Sequence, residues 1–260
     1  MEHLLLTFNL RISTNHDKEN AWPYRLDSII TYLNDRKPLI FGTQEGVEGM
    51  IDDLCENLHD YQYIGVPRSN NKFNAEYNAI FYNSDILRVR KSETIWISKT
   101  PMIPNTKDFK ASLPRIITYG EFYFIKNPFL RFRFYNTHLD HESELARVEG
   151  AKMLRDLINE HNQKEVLPLI ITGDFNATKN DDPLYYLRHF ASLIHANELI
   201  SEDNFGTTFH NFTGTKEGLP IDHIFVNDLI KLNKVAIFQE KVKGKFLSDH
   251  YPIEAYFEFK

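Results

Sequence analysis

Short apolar runs that end in an acid, an amide or an imidazole recur along the whole 260-residue chain. Asn9 closes "HLLLTFN" and Glu45 closes "PLIFGTQE". Glu76 stands before "YNAIFY", and His138 and Asp140 follow "RFRFYNT". Asp174 and Asn176 follow "LPLIIT", Asp222 opens "HIFV", and Asp249 and His250 precede "YPIEAYFEF". Nearly continuous apolar runs are the mark of buried strands. A carboxylate at the tip of such a strand is costly unless a partner or a metal compensates it. A fold for this chain must compensate seven such tips at once.

Between these runs the spacing changes. Trp22, Leu26, Ile29, Ile30 and Leu33 repeat at helical intervals, with Pro38 beyond the expected end. Val47, Met50, Ile51, Leu54 and Leu58 predict a second helix, which carries the lone Cys55 as a small packing residue. "RVRKSETIWIS", "RIITYGEFYFI" and "RFRFYNTHL" read as strands, as do "PIDHIFVN", "KVAIFQ" and "YPIEAYFEF". A long helix follows Ser143, its N-cap, with Leu145, Val148, Ala151, Leu154 and Ile158 on one side. Pro183 sits near another helix start in "DPLYYLRHF". No repeat, low-complexity tract or linker interrupts residues 1–260, which read as one domain. The expected fold class is α/β: two packed, mainly antiparallel or mixed sheets flanked by helices in a four-layer sandwich.

The net charge of −6 gives no support for a basic surface of the kind that binds duplex DNA without sequence preference. One cysteine excludes an intramolecular disulfide and a cysteine-rich zinc framework. "MEHLLLTFNLR" lacks the basic and long apolar regions of a secretion signal, and no apolar run has the length of a membrane span. The expectation is a cytoplasmic location; oligomeric state is left open.

The strand-tip residues are Asp, Glu and Asn with two His and no Cys, a hard-donor set that favours Mg²⁺ or Mn²⁺ over zinc. No His-Glu-x-x-His helix or Gly-rich Walker loop is present. In an extended "GDFN", Asp174 and Asn176 face one way, as do His138 and Asp140 in "HLD". Asp249 and His250, being neighbours, point apart, so each needs its own partner.

The order "FNLR", "GTQE", "EYNAIFY", "PRIITYGEF", "NTHLDH", "GDFN", "IDHIFV", "SDHYP" resembles the endonuclease/exonuclease/phosphatase superfamily, the group of deoxyribonuclease I. The likeness runs from Asn9 to Pro252. "NTHLDH" with Arg147 seven residues beyond Asp140, and "GTTFHNF" ahead of "IDHIF", look most like a bacterial branch near the deadenylase-type members.

The resemblance implies metal-assisted attack of water on a phosphodiester or phosphomonoester. It implies Glu45, Asn9 and Asp249 as metal residues. Asp174 would activate the water, and Asn176, His138, His250 and Arg115 would contact the phosphate. Asp222 would fix His250 as an imidazolium, and Glu76 would do the same for His138. Arg11, Asp140, His141 and Arg147 are weaker candidates; Asp140 also reads as a brace for His138, and Arg147 as a solvated charge beside Glu144 and Glu149. Trp22, Phe73, Trp96, Phe109, Phe209 and Phe212 could stack on a base or sugar. The substrate stays open between nucleic acid, a sugar or inositol phosphate, and a sphingomyelin-like phospholipid. A catalytically dead binding module should have lost Glu45, Asp174, Asp222 or His250, and none is lost.

Overall fold

The computed structural model describes residues 1–71, 75–189 and 193–260. In chain order the elements are β1 (His3–Asn9), α1 (Trp22–Arg36), β2 (Ile40–Gln44), α2 (Glu48–Asn57), β3 (Tyr61–Ile64), β4 (Ile80–Asn83), β5 (Leu87–Trp96) and β6 (Ile116–Phe124). They continue with β7 (Asn127–His138), α3 (Glu144–Lys164), β8 (Leu169–Asp174), α4 (Asp182–Arg188), β9 (Leu193–His195), β10 (Asp222–Asn227), β11 (Ile230–Ile237) and β12 (Ile253–Phe259). One six-stranded sheet runs β11-β12-β1-β2-β4-β3 and the other β5-β6-β7-β8-β10-β9. Each has one parallel pair, β1 with β2 and β7 with β8, joined across α1 and α3 respectively. All other named pairs are antiparallel. This is the expected four-layer arrangement.

Period-2 alternation explains why the runs are apolar throughout. In β1, Leu5 faces the core between the sheets, whereas Leu4, Leu6 and Phe8 pack under α1 and α2 with Ile29, Leu33 and Leu54. In β8, Ile170 faces inward, while Leu169 and Ile171 pack beneath α3 and α4 with Leu154, Ile158 and Leu184. Pro23 lies in the first turn of α1, which ends on Lys37 in the left-handed region just before Pro38. Ser143 caps α3, its hydroxyl accepting from the Ala146 N–H at 3.2 Å. The buried side of that helix runs Ala146, Gly150, Ala151, Leu154 and Ile158. Leu145 is exposed, one position off the stripe, so the sequence phase was misread there. The sequence also gave no sign of β3 and β9, whose four and three residues are too short to establish an alternation.

The inner faces become polar towards one end of the sandwich. In register, Leu5 pairs with Ile40, Thr7 with Gly42 and Asn9 with Gln44. On the other sheet Phe134 pairs with Ile170, Asn136 with Thr172 and His138 with Asp174, which pairs with Asp222. Three tiers result: apolar, small polar, and ionisable or amide. Asn136 ties the middle tier across the sheets. Its Nδ2 donates to the carbonyls of Thr43 (2.8 Å) and Ala79 (3.0 Å). Its Oδ1 accepts from Gln44 Nε2 (2.8 Å) and Thr172 Oγ1 (3.0 Å). Opposite it, a Cβ on Gly42 would lie 2.2 Å from Thr172 Oγ1 and 2.7 Å from Asn136 Cγ.

Asn136→Leu leaves buried donors and acceptors unpaired on both sheets and should destabilise the fold by about 3 kcal/mol. Gly42→Ala should cost about 1–3 kcal/mol by wedging the same seam. Urea unfolding monitored by circular dichroism reads both; an Asn136→Leu midpoint equal to wild type would refute the cross-link.

Candidate active site

The ionisable tier opens into a cleft of about 300 Å³. At the end of β1, Asn9 Nδ2 donates to Glu45 Oε1 and to Asp174 Oδ2, both at 3.0 Å. Its oxygen accepts from the Arg11 N–H at 2.9 Å. Asn9 therefore turns its N–H, not its oxygen, to the carboxylates, and holds one from each sheet together. Glu45 Oε2 accepts from the Ile12 N–H at 2.9 Å. Arg11, Glu45 and Asn176 all have positive φ, of 57°, 62° and 47°. Non-glycine residues in that region are sustained only by surrounding structure. Arg25, fully buried, supplies part of it by donating to the carbonyls of Leu10 (2.9 Å), Leu247 (2.5 Å) and Arg11 (3.1 Å).

Asp174 lies at the centre. Its Oδ1 accepts from the Asn176 N–H at 2.9 Å, and its Oδ2 lies 3.5 Å from His138 Nε2 and 3.8 Å from His250 Nε2. Burial, reinforced by the charge of Asp222, raises its pKa to about 7. His250 Nδ1 lies 2.8 Å from Asp222 Oδ2, the expected pairing. Burial opposes the imidazolium, but Asp222, by charge and hydrogen bond, together with Asp174 and Asp249, outweighs it and raises the pKa to about 10. His138 is held neutral by burial and by Arg115 and Arg68. Its Nε2 faces Asn176 Nδ2 at 3.1 Å, so Asn176 donates and the ring proton sits on Nδ1.

The other wall is cationic. Arg115 Nε lies 3.4 Å from Asp140 Oδ2 and its Nη2 2.8 Å from His141 Nδ1, while its Nη1 has no partner among the described residues. Asp140 therefore braces Arg115, not His138. Burial opposes ionisation of Asp140, but the Ser143 N–H, the Ser112 hydroxyl, Arg115 and the Glu142 N–H hold its pKa at about 2. Arg147 donates to the Asp140 carbonyl at 2.9 Å, so it is a tie and not a solvated charge. Glu76 also differs from expectation: it pairs with Arg68 at 2.5 Å and lies 3.8 Å from His138 Nδ1. Arg68 was not legible in the sequence. It stands in a turn eight residues before Glu76, with no periodic signal to mark it.

Glu45, Asp174 and His250 each bring a ligand atom within 4.8 Å of the others, a candidate cation site among the described residues. The two carboxylates, drawn together by Asn9, suit a hard divalent ion, whereas His250 has no lone pair for it while it stays an imidazolium. Asp249 lies outside that group. Its Oδ2 is 3.6 Å from Arg11 Nε, its Oδ1 accepts from Ser248 Oγ at 3.1 Å, and burial raises its pKa. Its carbonyl accepts from the N–H groups of His210 (2.8 Å) and Asn211 (3.1 Å), and the His210 ring stacks on Tyr251 at 3.8 Å. These contacts, and not an early start of β12, hold Asp249 and His250; the strand begins only at Ile253.

Of the aromatic candidates among the described residues, only Phe209 lines the cleft, with its ring 5.1 Å from that of His250. Trp22 and Trp96 are buried and donate to Asp53 and to the Arg68 carbonyl. Phe109 packs against the core beneath α3, and Phe212 lies by Arg25. Phe73 falls outside the described residues.

The chain matches the family model for the Endonuclease/Exonuclease/phosphatase family over residues 6–250. Among solved structures it is similar to a family protein from Bacteroides thetaiotaomicron, with a TM-score of 0.91 at 28% identity, covering 100% of this chain and 96% of that one. It is equally similar to a mannosyl-6-phosphatase from Bacteroides thetaiotaomicron, with a TM-score of 0.91 at 29% identity over 99% of this chain and 100% of that one. The human Nocturnin catalytic domain with bound sulfate shares the fold at 18% identity, with a TM-score of 0.78 over 100% of this chain and 94% of that one. No curated protein matches the sequence.

In the metal-free protein, ¹⁵N-detected imidazole spectra should keep His250 doubly protonated well above pH 7, deprotonating near 10. Because this pKa lies above the free histidine value of 6.5, the pairing stabilises the fold fully below about pH 6.5 and loses that contribution as pH rises towards 10. Asp222→Asn should return the titration to or below the ordinary histidine range. An unchanged titration would rule out Asp222 as the cause.

Proposed function

The chain belongs to the Endonuclease/Exonuclease/phosphatase family, and on that premise we propose that it hydrolyses a small phosphomonoester, a sugar phosphate, with the aid of a divalent cation. The observation that carries this reading is the cleft itself. Its volume of about 300 Å³ suits a small ligand. Arg11, Arg68, Arg115 and His250 stand in it opposite Glu45, Glu76, Asp174 and Asp249, so its cationic groups form one small cluster beside the carboxylates in a chain that carries −6. That distribution suits one compact dianion better than a long polyanion, whose binding needs a basic track along the surface. The likeness to the mannosyl-6-phosphatase supports the same substrate class.

Glu45 and Asp174 would hold the cation with their carboxylates, drawn together by Asn9, with Asp249 facing Arg11 alongside and the His250 imidazolium on the phosphate side. A divalent cation, Mg²⁺ or Mn²⁺, supplies charge neutralisation on the phosphate and stabilises the departing oxygen. Asp174, with a pKa near the working pH, takes the proton from the attacking water. Asn176 spends its Nδ2 hydrogens on the Leu139 carbonyl and His138, which leaves its Oδ1 to accept a hydrogen bond from that water. The His250 imidazolium and the free Arg115 Nη1 meet the negative charge that grows on the phosphoryl group. Arg115 suits that role because Asp140 and His141 fix two sides of its fork.

A parallel panel of sugar phosphates, inositol phosphates, bis-p-nitrophenyl phosphate, RNA, DNA and sphingomyelin with Mg²⁺ or Mn²⁺ tests the reading. Sugar phosphates should turn over fastest, and faster hydrolysis of an oligonucleotide or a phospholipid would overturn it. Glu45→Ala, Asp174→Asn and His250→Ala should each lower kcat by about 10²–10⁴. Activity should rise with pH as Asp174 ionises near 7, or lower once the cation is bound, and fall as His250 loses its proton towards 10. Asp222→Asn should move the alkaline limb to lower pH.

A further inference from the structure

A second pocket of about 230 Å³ opens beside the cleft, on the outer side of β10. Asp222 points to His250, which lines the cleft, and its neighbour His223 points the other way into this pocket. Pro220 lines the pocket while Ile221 lines the cleft, so the two openings share one strand tip.

Hydrogen bonding fixes the state of its two buried imidazoles. His223 Nε2 lies 2.8 Å from the Ala177 carbonyl, which can only accept, so Nε2 carries the proton. Burial keeps His223 neutral, with a pKa lowered to about 4, so its Nδ1 has a bare lone pair. His195 Nε2, 3.0 Å from that lone pair, must therefore donate. Burial and His223 lower the His195 pKa to about 2, so its Nδ1 is also a lone pair. His195 is 5% exposed, and this Nδ1 has no hydrogen-bond partner among the described residues. Its nearest ionisable neighbour is Glu198 Oε1 at 3.8 Å, another acceptor. A buried acceptor left facing an acceptor is a costly arrangement unless a donor is brought between them or beside them.

Charge narrows what that donor is. An anion would find Lys179, but at the buried acceptor it would face only Glu198 and the unprotonated His195 Nδ1, neither of which can donate to it. A divalent cation is disfavoured because Lys179 lines the same pocket and Arg188 Nη2 already pairs with Glu198 at 3.0 Å. Only two ligand atoms would remain for it, too few for a hard ion. A neutral hydroxyl fits both sides, donating to His195 Nδ1 or Glu198 and accepting from the Lys179 ammonium. Phe205, Ile200 and Pro220 supply an apolar wall, with Lys179 Nζ 5.8 Å from the Phe205 ring centroid. Hydroxyls around an apolar ring face are the signature of a carbohydrate.

We propose that this pocket binds the neutral, polyhydroxylated ring of a sugar, separately from the phosphate cleft. The ring comes either from a free sugar or from the unphosphorylated end of a longer sugar phosphate. The second source rests on the sugar-phosphate reading of the cleft; the first stands without it.

Calorimetric titration of the full chain with methyl α-mannoside, methyl α-glucoside and methyl β-galactoside tests the site. At least one should bind saturably in the millimolar range, also with inorganic phosphate present to fill the cleft. Imidazole ¹⁵N spectra should shift at His195 Nδ1. Lys179→Ala, an exposed position that carries no fold burden, should weaken binding about tenfold and leave p-nitrophenyl phosphate hydrolysis unchanged. His195→Phe should abolish binding, and Phe205→Ala gives a second readout if that variant fails to fold. Raised KM in Lys179→Ala for a disaccharide phosphate, but not for a monosaccharide phosphate, assigns the site to an extended substrate; unchanged KM for both assigns it to a free sugar. No saturable binding of any glycoside, or binding displaced by phosphate and indifferent to Lys179→Ala, would overturn the proposal. Because binding is read directly, an inactive phosphate cleft would not mask the result.

Discussion

Two sheets packed face to face normally exclude polar groups from between them, yet here a polar region must lie there. Asn136 reconciles the two demands. It spends both of its amide groups across the seam, on two carbonyls of one sheet and two side-chain donors, one from each sheet. Above it the inner faces can carry Asn9, His138, Asp174 and Asp222; below it they carry Leu5, Ile40, Phe134 and Ile170. The cleft is thus the polar end of the core itself, and its groups are as well fixed as core residues. Gly42 is part of the same device, since any side chain there would push the sheets apart.

Within that end, burial alone does not decide which groups are charged. Asp140 and Asp174 are both buried carboxylates, with pKa values of about 2 and about 7. Asp140 collects N–H, hydroxyl and guanidinium donors that outweigh its burial, whereas burial raises Asp174 and the Asp222 carboxylate adds to it. His138 and His250 divide in the same way: one is neutral under two guanidiniums, the other is an imidazolium against Asp222. A base and an acid near neutral pH therefore arise from neighbours, without any unusual residue type.

The sequence made the strands, the long helices and most of the tip residues legible, because both depend on local period and on where an apolar run stops. Asp222 with His250, and Asp174 with Asn176, came together as expected. What was not legible depends on distance across the fold. Arg68 takes Glu76, and Asp140 takes Arg115, through side-chain directions that no spacing encodes. Asn9 was expected beside Glu45, but its direction is set by the Arg11 N–H, which takes the amide oxygen and turns the Nδ2 to the carboxylates. Leu145 failed for a simpler reason: a helix stripe is defined by what packs on it, and α3 presents Ala146 and Gly150 to its neighbours.

β1 lies between β2 and β12, with His3 opposite Phe257. β1 thus keeps one edge open until β12, about 240 residues later in the sequence, is available to pair with it. Asp249 and His250 arrive just ahead of the strand that closes that edge. Nascent chains stalled before this point have neither a completed first sheet nor a complete hydrolytic centre. Closure of the first sheet and assembly of the ionisable tier are therefore coupled, because Asp249 and His250 are carried in by the segment that completes the β1 edge.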